Sequence, residues 1–258
     1  MAVLRWSEAG RSWRPVEGEP PEGLGGAQVG LYETLMTSAS AYALALHADR
    51  IARSWERLTG RPFSAEPVPP LHDVRAEVLR QQWPALRFEV RRFADGSTVA
   101  QIRRRDKPSV KPPLQLLPLE FGASDAAYPH KSVEREHLKQ AYERAVAAGA
   151  DDALFVVGDE VRETAQAFVG LVTAEALVLP PLRQDVLPST TRTAAADWCR
   201  ENGRAVIERP IRMDELGGGA LIYGNALIGL VPAFPAGRPA VPLPRWFDAP
   251  AIERRLAE

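Results

Sequence analysis

Apolar side chains recur along this chain with two periods, and the switches between them predict most of its elements. Over 27–36 apolar and polar positions alternate as on a half-buried strand. From Ala43 the spacing lengthens: Leu44, Leu46, Ile51, Trp55 and Leu58 recur at helical intervals, and Gly60 supplies a stop. The proline-rich stretch 67–70 leads into a second helix over about 71–83. Positions 86–92 and 98–102 alternate again around Ala94-Asp95-Gly96-Ser97, whose turn chemistry predicts a hairpin. The first 26 residues contain Trp6, Trp13, glycines and prolines but no usable period.

Further on, Leu138, Ala141, Tyr142 and Ala145 mark one face of a helix over about 132–148, ended by Gly149. Short apolar runs at 153–157, 161–164, 167–172 and 175–179 are separated by turns, which indicates a mostly antiparallel sheet. A helix over 194–202, a strand over 204–208, a short helix over 213–216, strand material over 220–232 and a proline-rich tail complete the chain. The fold class is therefore mixed α+β or α/β with two lobes. A small N-terminal α/β lobe spans 1–106, a proline-rich connector 107–118, and a larger C-terminal lobe 119–258.

Composition narrows the function. A chain of 258 residues that is 45% hydrophobic can bury a substantial core. Its 32 basic and 33 acidic residues are interleaved, so no nucleic acid or anionic membrane partner is expected, and Arg103-Arg104-Arg105 reads as a solvated strand end. No apolar run approaches the roughly 20 residues that span a bilayer, and no signal peptide follows Met1, so a cytoplasmic location is expected. Cys199 is the only cysteine and falls on an amphipathic helix as a core residue.

Several chemistries are excluded by spacing. His47, His72, His130 and His137 are too scattered for a zinc set, so no metal is expected. There is no Gly-x-Ser-x-Gly elbow, and neither Gly217 to Gly219 nor Gly23, Gly25 and Gly26 have the context of a phosphate or dinucleotide loop. Ser189-Thr190-Thr191 opens a helix, where backbone N–H groups and hydroxyls can bind a phosphate or where Ser/Thr can simply cap. Read alone, Arg50 and Arg53 are the wet face of a helix and Lys131 is a surface lysine.

Taken together, the motifs resemble, in order, those of the class IV aminotransferase family, the fold type IV pyridoxal phosphate enzymes. Gly30-Leu31-Tyr32-Glu33-Thr34 is similar to the family's Gly-x-Phe-Glu-Thr strand, and His47-x-x-Arg50-Ile51-x-Arg53-Ser54 to its His-Leu-x-Arg-Leu-x-x-Ser helix. Lys131 falls where the cofactor-linking lysine belongs, Val161-Arg162-Glu163-Thr164 resembles Val-x-Glu, and Leu187-Pro188-Ser189-Thr190-Thr191-Arg192 resembles Leu-Pro-Gly-x-Thr-Arg. The resemblance runs from about Gly30 to Pro232.

It implies pyridoxal 5'-phosphate as cofactor and a small amino-acid-like substrate. Lys131 is then the catalytic base and cofactor link, Glu163 the partner of the pyridine nitrogen, and Arg50, Ser189, Thr190 and Thr191 the phosphate ligands. Asn225 and Ala226 complete the cofactor set. Tyr32, Arg92, Arg103 and Arg135 are candidates for the substrate, with Arg92 and Arg103 on the hairpin. A homodimer is likewise implied.

Within the family, Gly224-Asn225-Ala226-Leu227 and Arg135, four residues after the lysine, resemble aminodeoxychorismate lyase, which releases pyruvate and 4-aminobenzoate for folate synthesis. Asn225 is equally a turn closer. A transaminase using a 2-oxo acid remains the alternative, as does a cofactor-free binding relative. Departures from the pattern are Glu134 for asparagine, Ala167-Phe168 after the glutamate, Ser189 for glycine, and the stretch 21–26 in place of the usual turns.

Overall fold

The computed structural model describes residues 2–16, 27–121, 130–182 and 186–257. The stretch 21–26 and the residues 127–129 leading into Lys131 lie outside them. Two compact units make up the chain: Met1–Pro108 with His130–Glu134 and Ala257–Glu258, and Ser109–Pro129 with Arg135–Leu256.

In the first unit, β1 (Val3–Ser7), β2 (Ser12–Pro15), β3 (Ala27–Met36), β4 (Ala85–Phe93) and β5 (Thr98–Arg105) form one antiparallel sheet in the order β2-β1-β5-β4-β3. The helices α1 (Ala41–Thr59) and α2 (Leu71–Arg80) belong to the same unit. Leu31, Leu35, Leu86, Phe88, Val90, Ala100 and Ile102 alternate along the strands and share one core with Ile51 and Trp55 of α1 and with Val74 and Val78 of α2. The Ser40 hydroxyl accepts the Ala43 N–H to start α1, and Gly60 ends it with φ 69°, a conformation that a side chain would strain. The hairpin of β1 and β2, joined edge-on through Trp6 and Trp13 with ring centroids 5.5 Å apart, lies in a polar and proline-rich stretch that masks any apolar period.

The second unit holds β6 (Leu114–Glu120), α3 (Glu136–Ala147), β7 (Asp152–Val157), β8 (Glu160–Thr164), β9 (Phe168–Val172), β10 (Ala176–Leu179), α4 (Thr190–Glu201), β11 (Ala205–Glu208), β12 (Ile211–Arg212), β13 (Ala220–Asn225), β14 (Gly229–Pro235) and α5 (Ala249–Leu256). Its sheet has the order β11-β10-β9-β13-β14-β6-β7-β8-β12. Antiparallel pairs predominate as expected, while β6 lies parallel to both β14 and β7, and β10 parallel to β11.

Several boundaries differ from the pattern-based ones. The connector expected over 107–118 is divided, because Leu114 and Leu116 are buried in an interior strand of the second sheet. The helix expected from 132 begins only at Glu136, since His130–Glu134 belongs to the first unit. Conversely α4 starts at Thr190, four residues before its apolar period, because the Ser189 hydroxyl accepts the Arg192 N–H and caps it. The proline-rich tail contains α5, whose Glu253 carboxylate accepts the Leu230 N–H at 2.8 Å.

Trp55 is fully buried beneath Phe63, ring centroids 5.6 Å apart. Trp55→Ala leaves a large cavity in the first unit and is expected to cost about 3–5 kcal/mol, read from chemical denaturation.

Candidate active site

The position of Lys131 is set by backbone pairing. At the edge of its sheet, β3 has one side not taken by β4, and residues 130–133 occupy it. Tyr32 N–H donates to the Lys131 carbonyl at 2.9 Å and Val133 N–H to the Gly30 carbonyl at 3.0 Å, with Leu31 and Ser132 in an antiparallel bridge. Gly30 is what permits the approach: a Cβ there would overlap Val133 Cγ2, a branched and stiff side chain. The arrangement holds Lys131 Nζ 4.7 Å from the centroid of the Tyr32 ring, and the Arg87 guanidinium carbon lies 3.9 Å from the same centroid. His130 Nδ1 is 3.0 Å from Ser54 Oγ on α1, which anchors the segment at its start.

On the helix-facing side of the same strand, Glu33 is buried and clamps α1. Arg50 Nε donates to Oε1 at 2.9 Å, and Nη2 approaches Oε2 at 2.5 Å. His47 Nδ1 is 2.7 Å from Oε2. Burial works to raise the Glu33 pKa, but Arg50 and then His47 outweigh it and hold the carboxyl at about 2. An ionised Glu33 can only accept, so Nδ1 of His47 carries the proton, and its 3.5 Å separation from Arg50 Nη2 is a contact only. Burial keeps His47 below its ordinary pKa despite Glu33, with Arg50 and Lys131 pushing the same way. Lys131 is thus close enough to weigh on the imidazole charge.

In the second unit, Glu163 is buried on β8, and its Oε2 accepts the Leu187 N–H at 3.1 Å. That bond ties Glu163 to the loop whose next residues, Pro188 and Ser189, open α4. Ser189, Thr190 and Thr191 are all buried at this helix start, and the Thr191 hydroxyl has no hydrogen-bond partner among the described residues. Arg192 instead serves the fold: Nη2 donates to the Pro180 carbonyl and lies 3.1 Å from Glu208. Behind Glu163, Asp152 accepts from the Ala153 and Gln166 N–H groups and from Tyr223 Oη at 3.2 Å. Burial lifts Asp152 to about 6 against the pull of Thr164 and these donors.

The substrate candidates are dispersed. Tyr32 adjoins Lys131, as described. Arg92 is turned to Glu66 at 3.3 Å, Arg135 donates to the Ala165 carbonyl at 3.2 Å, and Arg103 lies beside Glu89 at 3.9 Å. Asn225 closes the β13–β14 turn, its Oδ1 accepting from Leu227 and Ile228 at 2.9 Å, and Ala226 lies within that turn. Glu134 is exposed. Cys199 is core, and burial pushes its thiol up to about 11. No group of metal-ligating side chains occurs among the described residues. Residue patterns alone did not single out Arg87, because on β4 it is one of three arginines; Glu33 was visible only as part of its strand motif.

Each unit by itself carries groups whose chemistry fits pyridoxal 5'-phosphate. A half-buried lysine is present for the aldehyde and a buried carboxylate for the pyridine nitrogen. In the second unit the capped helix start, with the Thr191 hydroxyl buried and without a partner among the described residues, suits a phosphate; in the first, Arg50 oriented by Glu33 is of the same chemistry.

Comparison with known proteins agrees. Residues 30–233 match the family described as amino-transferase class IV. No curated protein sequence matches the chain. Among solved structures, a hypothetical aminotransferase from Mycobacterium tuberculosis, in a form with alpha-ketoglutarate and PMP bound, superimposes with a TM-score of 0.79 at 19% identity, covering 98% of this chain and 99% of its own. The 4-amino-4-deoxychorismate lyase from Pseudomonas aeruginosa gives 0.74 at 19% identity, covering 94% and 96%. A fold IV transaminase from Curtobacterium pusillum gives 0.74 at 19% identity, covering 98% and 96%.

Two outcomes test the geometry. Gly30→Ala is expected to displace residues 130–133 and weaken cofactor retention about tenfold, the scale of a modest overpacking cost, as measured by equilibrium dialysis. Glu33 has a depressed pKa, so its stabilisation is present above about 4.5 and lost as pH falls toward about 2. Urea unfolding across that window should show wild type losing an advantage over Glu33→Gln on the order of 3 kcal/mol.

Proposed function

This chain belongs to the amino-transferase class IV family, whose members are pyridoxal 5'-phosphate enzymes, and from that premise we propose that it is a lyase of the aminodeoxychorismate type. It eliminates pyruvate from 4-amino-4-deoxychorismate and leaves 4-aminobenzoate, a folate precursor. The observation that carries the reading is Lys131, pinned to β3 and presented beside Tyr32. The Asn225 turn between β13 and β14 and Arg135 next to the Glu163 strand end support the lyase branch.

Lys131 would link the cofactor aldehyde, Glu163 would face the pyridine nitrogen, and Arg50, Ser189, Thr190 and Thr191 would hold the phosphate. Asn225 and Ala226 would contribute through their turn. Bound pyridoxal 5'-phosphate supplies an electron sink conjugated to the substrate amine. Glu163 would hold the proton of the pyridine nitrogen and so maintain that sink. The Lys131 amine, unprotonated for this step, would remove the proton from the carbon bearing the substrate amine. With that proton gone and the neighbouring carbon–oxygen bond broken, the carbocycle of the substrate would become aromatic, and Lys131 would return the proton to the departing enolpyruvate to give pyruvate. Tyr32 packs beside the Lys131 Nζ and limits its range of positions.

We place the enzyme in the cytoplasm as a homodimer. Its one cysteine needs no oxidising compartment, and no helix among the described residues is long and apolar enough to cross a membrane. The second reading within the family is a transaminase, in which Lys131 moves the same proton to the cofactor carbon and a 2-oxo acid accepts the amine.

Pyruvate release from 4-amino-4-deoxychorismate without any 2-oxo acid, followed by a coupled lactate dehydrogenase assay, is the expected result. Strict dependence on 2-oxoglutarate would establish the transaminase instead. Lys131→Ala should lose the visible absorbance of the lysine-linked cofactor. Glu163→Gln should keep that absorbance and slow turnover roughly a hundredfold, in line with loss of one positioned proton-holding group; an unchanged rate would remove Glu163 from the mechanism.

A further inference from the structure

The first sheet has an apolar face that holds the core and an opposite face that is rich in arginine. Alternation along β4 sends Leu86, Phe88 and Val90 into the core and Arg87, Glu89 and Arg91 the other way. On β5 the same rule pairs Gln101 with Glu89 and Arg103 with Arg87, and on β1 it sets Arg5 opposite Gln101. Tyr32 is the register partner of Glu89 on β3 and shares this face.

The charges do not balance. Three guanidiniums, those of Arg87, Arg91 and Arg103, lie within ion-pair distance of the one carboxylate of Glu89, which is 2% exposed. Glu89 Oε1 is 2.6 Å from Arg87 Nε and 3.9 Å from Arg103 Nε, and Oε2 is 3.5 Å from Arg91 Nη2 while accepting from Gln101 at 2.7 Å. The Arg87 contact is a close ion pair. The Nε groups of Arg5, Arg91 and Arg103 are buried and have no acceptor among the described residues. Arg87 and Arg103 are direct cross-strand partners, and like charges so placed repel. Burial lowers the Arg87 pKa, and Glu89 restores only part of it. A desolvated surplus of positive charge is costly unless anionic groups join it.

We propose that Arg87 and Arg103 are specificity-determining residues that bind carboxylates of a dicarboxylate amine, with Arg87 serving the carboxylate nearer Lys131. The assignment rests on the reading of Lys131 as the reacting lysine, and it deepens that reading by assigning the side chains that hold the two carboxylates of the substrate. Arg87 is placed for the role by Tyr32, whose ring adjoins both it and Lys131. Arg103 supplies a second cation about one strand spacing away, roughly 5 Å between backbones. Arg92 is excluded from the face by its register and is engaged by Glu66.

The test uses full-length cofactor-loaded protein and two unreactive probes, isophthalate with two carboxylates and benzoate with one. Titration calorimetry should show wild type binding isophthalate at least about tenfold more tightly than benzoate, the scale of one added charge-assisted hydrogen bond. Arg87→Leu and Arg103→Leu should each collapse that preference while visible absorbance still reports the bound cofactor; Arg87→Lys should restore part of it. Arg104→Leu removes the same charge from an exposed site paired with Asp106 and should leave the preference intact.

Equal affinity for the two probes in loaded wild type, or a preference that survives both Leu variants, would overturn the arginine assignment while leaving the cofactor reading standing. A fall in sedimentation mass of both variants, with no isophthalate preference in wild type, would assign the face to a second copy of the chain and overturn the proposal. A chain that takes up no cofactor fails by absorbance alone, before either probe is added, and overturns the reading beneath it.

Discussion

Residues 130–133 pair with the open edge of β3, and the rest of the first unit's chemistry follows from that one attachment. An edge strand exposes unpaired backbone groups, and here the carbonyl of Gly30 and the N–H of Tyr32 are satisfied by a segment distant in sequence. The pairing keeps Lys131 in an extended stretch, so α3 begins at Glu136. It also depends on Gly30 having no side chain, because Val133 occupies the space a Cβ would need.

β3 then distributes function by its two-residue period. Glu33 points to α1 and binds Arg50 and His47, a buried arrangement in which the acid is held ionised and oriented. Its neighbour Tyr32 points to the other face and meets Lys131 and Arg87. The first face carries a satisfied carboxylate; the second carries more guanidinium than its one acid can neutralise. This asymmetry separates a structural clamp from a surface suited to an anionic ligand, although the residues responsible are adjacent in sequence.

The second unit organises its groups around short polar connections. Glu163 reaches the loop before α4 through Leu187, and Asp152 and Tyr223 brace the strand end that follows Glu163. The helix start at Ser189–Thr191 is formed by a hydroxyl cap, which explains why its apolar period appears several residues too late. In each case a hydrogen bond, which leaves no hydrophobic signature, sets the boundary.

Helices and strands with long apolar periods were legible, including α1, the hairpin of β4 and β5, and the run of strands after α3, because burial of one face imposes that period. The motif order that marks the family was legible for a different reason: local chemistry repeats in local sequence. The β1–β2 hairpin and α5 were not, since the polar and proline-rich composition around them masks any apolar period. Nor could composition separate Arg87 from Arg91, Arg92 and Arg103. Only tertiary structure decided that, because side-chain direction depends on strand register, and register is set by partners that lie elsewhere in the chain.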